Sequence, residues 1–279
     1  MRYLLFCVLF VSFVCAQGKI NVVVSVIPQI YLVEKIGGID VDVSSMVPDG
    51  RSPETYEPLI SQMKMIKNAS VYFGVGMDFE KAWKPRFISA NPLMEFVDLS
   101  EIGIKKQDQS NQFKHKHDPH IWLSVALAKV QAEKIYETLS NIRPLRKSFY
   151  QANLEEFLKE INALDSQIKG IFSKPNAQKS FVVYHPAFGY LAKEYGLEEI
   201  ALENDGKPIK LKQMIGLRDV ILKKDIKVAY VQPEFSKDRI KAFANELHLK
   251  ILTLDPLRAD WKDNILHICK MIASQGNVE

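Results

Sequence analysis

Ser124-Val125-Ala126-Leu127-Ala128-Lys129-Val130-Gln131-Ala132-Glu133-Lys134-Ile135-Tyr136-Glu137-Thr138-Leu139-Ser140-Asn141-Ile142 is the stretch that decides the architecture. Val125, Ala128, Ala132, Ile135, Leu139 and Ile142 recur at spacings of three and four, which is one apolar face of a helix. Pro144 interrupts the pattern, and it resumes with Leu154, Phe157, Leu158, Ile161, Leu164, Ile168 and Ile171. Proline lacks the amide that a helix interior needs. Residues 124–173 therefore read either as one long connecting helix kinked at Pro144 or as two helices in succession.

On both sides of this stretch short β-branched and aromatic runs alternate with helical ones. Before it come strand candidates at Ile20 to Val26, Val41 to Val47, Ser70 to Gly74 and Glu95 to Leu99. After it come Phe181 to Tyr184, Glu199 to Leu202, Val228 to Val231 and Ile251 to Leu254. Such alternation predicts parallel sheets covered by helices. The expected fold is α/β: two lobes, residues 17–123 and 174–279, each a mostly parallel sheet flanked by helices, joined by the long helix. No low-complexity tract and no clear sequence repeat is present.

Residues 1–16 read as a signal peptide, because Arg2 precedes an apolar run from Tyr3 to Val14 that is too short to span a bilayer. Cleavage after Ala16 fits the small-residue requirement. Lipidation at Cys15 fits less well, with bulky Val14 directly before it. Loss of the leader would leave Cys269 alone among the three cysteines, so no internal disulfide can form. A composition 47% hydrophobic supplies an ordinary core instead. The formal charge of +4 becomes +3 without Arg2, and the basic residues are scattered, so there is no nucleic-acid footprint.

Three of the six histidines fall within His115-Lys116-His117-Asp118-Pro119-His120. Clustered imidazoles point to a metal, although a solvated loop whose histidines hold nothing has the same pattern. His185 follows the run Phe181-Val182-Val183-Tyr184, and Asp255 follows Ile251-Leu252-Thr253-Leu254. Both sit at carboxyl ends of strand candidates, the edge at which open α/β sheets bind ligands. Glu54 and Glu57 follow another strand candidate, where solvation or helix capping is the plainer role. Glu203, Asn204 and Asp205 before Gly206 read as a turn, with Glu203 a reserve acid near the second lobe's edge.

Taken as an ordered set, Pro53-Glu54-Thr55-Tyr56-Glu57-Pro58, Asp118-Pro119-His120-Ile121-Trp122-Leu123-Ser124, Tyr184-His185-Pro186-Ala187-Phe188-Gly189-Tyr190, Gln232-Pro233-Glu234-Phe235-Ser236 and Leu254-Asp255-Pro256-Leu257 resemble the ZnuA-like substrate-binding proteins of zinc and manganese ABC importers. The resemblance covers essentially the whole exported length, and Tyr150, Asn153 and Phe157 resemble the family's rigid connector. It implies that His120, His185 and Asp255 are metal ligands. Glu54 departs from the family's pattern, in which a histidine usually stands, and is expected to bind through oxygen. In a second scheme Glu54 points away and His115 or His117 completes the shell. These two also resemble a short metal-collecting loop.

The resemblance implies a periplasmic or otherwise extracytoplasmic receptor, monomeric and not an enzyme. It would carry a divalent ion to the permease and ATPase subunits of an ABC importer. Zinc is the expected ion, with manganese or iron favoured to some degree by the two carboxylates. Affinity is expected to fall below about pH 6 as the imidazoles take up protons. A secreted zinc hydrolase is the alternative from another class, though no His-Glu-x-x-His helix is present; a surface adhesin would need a separate module that the sequence does not offer.

Overall fold

The computed structural model describes residues 18–101, 118–204, 207–208 and 211–277, without the side chains of 204, 207–208 and 211–213. The leader with Cys7 and Cys15, and the pair His115 and His117, lie outside the described residues.

β1 (Ile20–Val24), β2 (Val41–Ser45), β3 (Val71–Gly74) and β4 (Glu95–Asp98) form a parallel sheet in the order β2-β1-β3-β4. α1 (Pro28–Gly37), α2 (Met63–Asn68) and α3 (Asp78–Ala90) lie between the strands in the chain. Val22, Val23 and Val24 are buried whichever way they point, as strands covered on both faces require.

The decisive stretch is two helices, α4 (Val125–Ile142) and α5 (Lys147–Phe172), and not one kinked helix. Arg143 leaves the helical region (φ −135°, ψ 76°), which proline disfavours for the residue before it, and Pro144–Arg146 make a 3₁₀ turn that reverses the chain. The helices run antiparallel, with Lys129 Nζ donating to Asn162 Oδ1 at 2.7 Å. Arg146 and Tyr150 fasten the start of α5 to Asp40 of the first lobe, and Asn153 donates to the carbonyl of Ile36. At the other end of the hairpin, Ser124 Oγ caps the amide of Leu127, while Glu194 accepts from Ser124 Oγ and the Ala126 amide. A carboxylate at a helix N-terminus also complements the helix dipole.

The second lobe holds β5 (Ser180–Val183), α6 (Gly189–Tyr195), β6 (Glu198–Ala201) and a short antiparallel pair, β7 (Glu203–Asn204) and β8 (Lys207–Pro208). α7 (Leu211–Lys223), β9 (Val228–Val231), α8 (Asp238–Glu246), β10 (Lys250–Thr253) and α9 (Trp261–Ser274) complete it. Its parallel sheet runs β6-β5-β9-β10, the same winding as the first. The lobes thus repeat in topology although no repeat is legible in sequence.

Alternation along β5 divides the packing. Phe181 and Val183 join a core continuous with the first sheet, α4, α5 and α9, whereas Val182 faces a separate cluster with Ile221, Ile240 and Phe243. Trp261 Nε1 donates to the Trp122 carbonyl at 2.6 Å, and Trp122 Nε1 donates to the Pro256 carbonyl at 2.9 Å. Glu160 on α5 faces both Lys35 of α1 and Lys262 of α9. The lobes therefore share one apolar mass. Cys269 is a free, buried thiol within it. No helix among the described residues is long and apolar enough to cross a membrane.

Candidate metal centre

Both sheets are wound so that strand order reverses between adjacent inner strands, the place at whose carboxyl ends open α/β sheets bind ligands. His185 leaves β5 at that point in the second sheet. Its amide donates to Gln232 Oε1 at 3.3 Å, and Gln232 Nε2 returns a bond to the His185 carbonyl at 2.6 Å. The ring packs against Phe235, with centroids 5.4 Å apart. This clamps one imidazole at the end of β5.

His120 precedes a 3₁₀ turn, Ile121–Leu123, that leads into α4. Its ring lies edge-on to Trp122, and its Nδ1 is 2.7 Å from Asp118 Oδ1, which also accepts the His120 amide. Gly189 allows this arrangement, since a Cβ there would come within 3.1 Å of Asp118 Oδ2. Glu54 is carried by a 3₁₀ turn, Pro53–Thr55, beyond β2. Gln62 holds that loop by donating to the Met46 carbonyl and accepting from Tyr56 Oη and the Leu59 amide.

Glu54, His120 and His185 each offer a ligand atom within 4.8 Å of the others. Glu54 Oε1 lies 2.9 Å from His185 Nε2 and 3.9 Å from His120 Nε2. A tetrahedral ion about 2.1 Å from each donor places donors about 3.4 Å apart, a value that the two distances bracket. The cavity they line with Glu234 and Trp122 has a volume of about 10 Å³, room for one water-sized body.

Each imidazole has a carboxylate behind it. His185 Nδ1 is 3.1 Å from Glu203 Oε1, and an ionised carboxylate only accepts, so Nδ1 carries the proton and Nε2 is the atom that faces the cavity. Asp118 does the same for His120. Such carboxylate–histidine pairs fix the ring orientation and strengthen the donor. Both ring nitrogens of His185 face carboxylates in this arrangement. Burial pushes its imidazolium down, but hydrogen bonds to Glu203 and Glu54 outweigh burial and hold the pKa up at about 10. In the Glu203→Gln variant without metal, the His185 titration midpoint is expected to move down from about 10. Histidine NMR checks this; an unmoved midpoint would deny Glu203 its role.

Asp255 is not brought into the three-residue group. Its Oδ1 accepts the Leu257 amide at 2.8 Å, which turns the carboxylate toward its own Asp255-Pro256-Leu257 turn. Burial raises its pKa, and the largest charge effects on it come from Asp49, Arg258 and Asp260. Asp118, Gln232 and Glu234 had no site role in the sequence reading, and Glu203 stood there only as a reserve acid near the second lobe's edge. The strand-end rule that selected His185 and Asp255 points equally to Gln232 and Glu234 beyond β9. Asp118 had a weaker signal in its place two residues before His120. His248 is exposed at the end of α8, and His267 lies on α9, where burial lowers its pKa.

Two α/β lobes with imidazoles and a carboxylate converging between strand ends define a two-lobed solute-binding protein with a cation-sized site. The chain belongs to the ZnuA family: a family model described as zinc-uptake complex component A, periplasmic, matches residues 22–274. Zinc-binding protein AdcA of Streptococcus pyogenes is 29% identical over 271 residues, covering 88% of this chain and 52% of that protein. The chain thus spans about half the length of the curated relatives it matches. A crystal structure of ZnuA is 32% identical with a TM-score of 0.83, covering 92% of this chain and 99% of that one. A zinc-bound deletion mutant of ZnuA is 31% identical with a TM-score of 0.82, covering 94% and 100%.

Proposed function

We propose that this chain is an extracytoplasmic receptor that binds one divalent zinc ion through Glu54, His120 and His185 and presents it to the permease and ATPase subunits of an ABC importer. The observation that carries the reading is the convergence of these three donors around a cavity of ion size. The relatives' names support zinc, and the family is one of solute receptors, not enzymes. The carboxylate of Glu54 makes the donor set harder than three imidazoles would, so manganese and iron are the competing cargoes.

A metal that contacts elements of both lobes favours the closed arrangement by its difference in affinity for the two states. The shared core and the fastened hairpin oppose a wide hinge, so loading works through a small rocking of the lobes and movement of the loop that carries Glu54.

Loading must also displace a proton. With its pKa held at about 10, the metal-free His185 is an imidazolium at neutral pH, and an imidazolium cannot ligate. Proton competition therefore reaches well above the pH 6 expected from sequence. Calorimetric titration of zinc at pH 8 in buffers of different ionisation enthalpy is expected to give one ion per chain and about one proton released. Apparent affinity should rise about tenfold per pH unit while the proton remains bound. Binding of zinc with no proton release would count against His185 as a ligand, and no saturable binding would refute the proposal.

A further inference from the structure

His185 is clamped at the end of β5 and His120 at the turn into α4, whereas Glu54 rides on a loop between β2 and α2 whose regular structure is two 3₁₀ turns, Pro53–Thr55 and Ile60–Gln62. Ser52, Pro53 and Glu54 line the ion-sized cavity. Ser52, Thr55, Tyr56 and Glu57 line an adjoining open cavity of about 460 Å³. The loop is therefore the partition between the two, and it has free space on its outer side.

One side chain ties this partition to the body of the lobe. Gln62 Oε1 accepts from the Leu59 amide at 2.8 Å and from Tyr56 Oη, and Gln62 Nε2 donates to the Met46 carbonyl at 2.7 Å. Met46 directly follows β2, so the far arm of the loop is fastened back to its root. The arrangement needs an amide, since a carboxylate could accept twice but could not donate to Met46. Packing adds little beside the clamp: Leu59 is 61% and Ile60 86% exposed, and the apolar contact nearest to it is the Tyr56 ring, edge-on to Phe79. Gln62 does not line the ion cavity, so it reaches the ion only through what it holds.

Resting on the receptor reading above, we infer that the loop carrying Glu54 is the door through which the ion leaves, and that Gln62 is the positioning residue that latches it, holding Glu54 on the ion and setting the release rate. The two imidazoles are fixed by their own elements, so the donor that can withdraw is Glu54, outward into the open cavity. Withdrawal pulls Leu59 and Tyr56 off Gln62. Strengthening or weakening this one side chain therefore changes how long Glu54 stays in place without altering any donor atom.

The test is a double-mutant cycle on zinc release, followed by stopped flow as an excess of chelating dye takes the ion from the full exported chain. Gln62→Glu keeps the two acceptor contacts but turns the donor to Met46 into an oxygen facing a carbonyl. Gln62→Met removes all three bonds and adds no charge. Circular dichroism confirms that each variant is folded. Both are expected to release zinc about tenfold faster than the parent, at the lower end of the effect of losing an outer partner of a metal ligand. In a Glu54→Ala background the same two changes are expected to alter release by less than about twofold, because no carboxylate is left to hold in place. General loosening of the lobe does not produce that non-additivity. Parent-like release in both Gln62 variants, or an acceleration that persists in full without Glu54, would overturn the inference and leave the receptor reading standing. Parent-like release in Glu54→Ala alone would instead strike at the donor set of the receptor reading.

Discussion

Replacing His185 by asparagine is expected to leave a folded protein whose zinc affinity is lower by well over 100-fold. The scale follows from position, because removing even an outer partner of a metal ligand costs about 10- to 100-fold, and His185 supplies a donor atom itself. Asparagine is the informative choice. Its side-chain amide can still donate toward Glu203, which is only 3% exposed, in the direction of the lost Nδ1 proton. Alanine would strand that carboxylate in the interior, and breaking a buried pair costs about 3–5 kcal/mol, so loss of binding would be confounded with loss of fold. Gln232 continues to hold the backbone at position 185 in either variant. Chelator competition measures the loss. An affinity within threefold of the parent would remove His185 from the site.

The second large effect concerns the joint between lobes. Trp261→Ala is expected to destabilise the protein by about 3–5 kcal/mol, the range for deleting a large buried aromatic side chain. Trp261 is 1% exposed, packs against Tyr31 of α1 and Phe157 of α5, and donates to the Trp122 carbonyl. Its removal opens a cavity among first-lobe, connector and second-lobe elements and leaves a buried carbonyl without its donor. The same carbonyl belongs to the turn that follows His120, so zinc binding should weaken together with stability. Trp261→Phe, which fills most of the space, is expected to lose about 1–2 kcal/mol through the missing hydrogen bond. Urea unfolding measures both. A loss under about 1 kcal/mol in Trp261→Ala would mean that the lobes are joined independently of this contact.

Much of the fold was legible because parallel strands buried on both faces leave short runs such as Val22-Val23-Val24 and Phe181-Val182-Val183 that mark themselves. Pro144 marked the break in the connector. The reversal that follows it was not legible, because it is fixed by partners distant in sequence, Asp40 for Arg146 and Asn162 for Lys129. His185 could be selected by strand-end position and residue type and His120 by its place in the histidine cluster, whereas a ligand role for Glu54 came only from the resemblance to the family. Glu203 was legible only as a reserve acid and not as the partner of His185, since its approach to His185 depends on β6 lying beside β5, a fact of strand order. Strand-end position selects Asp255 and Glu234 alike; the direction of the Asp255 side chain is set by one local hydrogen bond to Leu257.

The central claim is that a single metal ion sits between Glu54, His120 and His185. Anomalous diffraction at the zinc edge, from crystals of the protein grown with zinc, tests it most directly. The expected result is one dominant peak about 2.0–2.1 Å from the Nε2 atoms of both histidines and about 2.0–2.2 Å from a Glu54 carboxylate oxygen. A dominant peak elsewhere, with none between the two imidazoles, would contradict it.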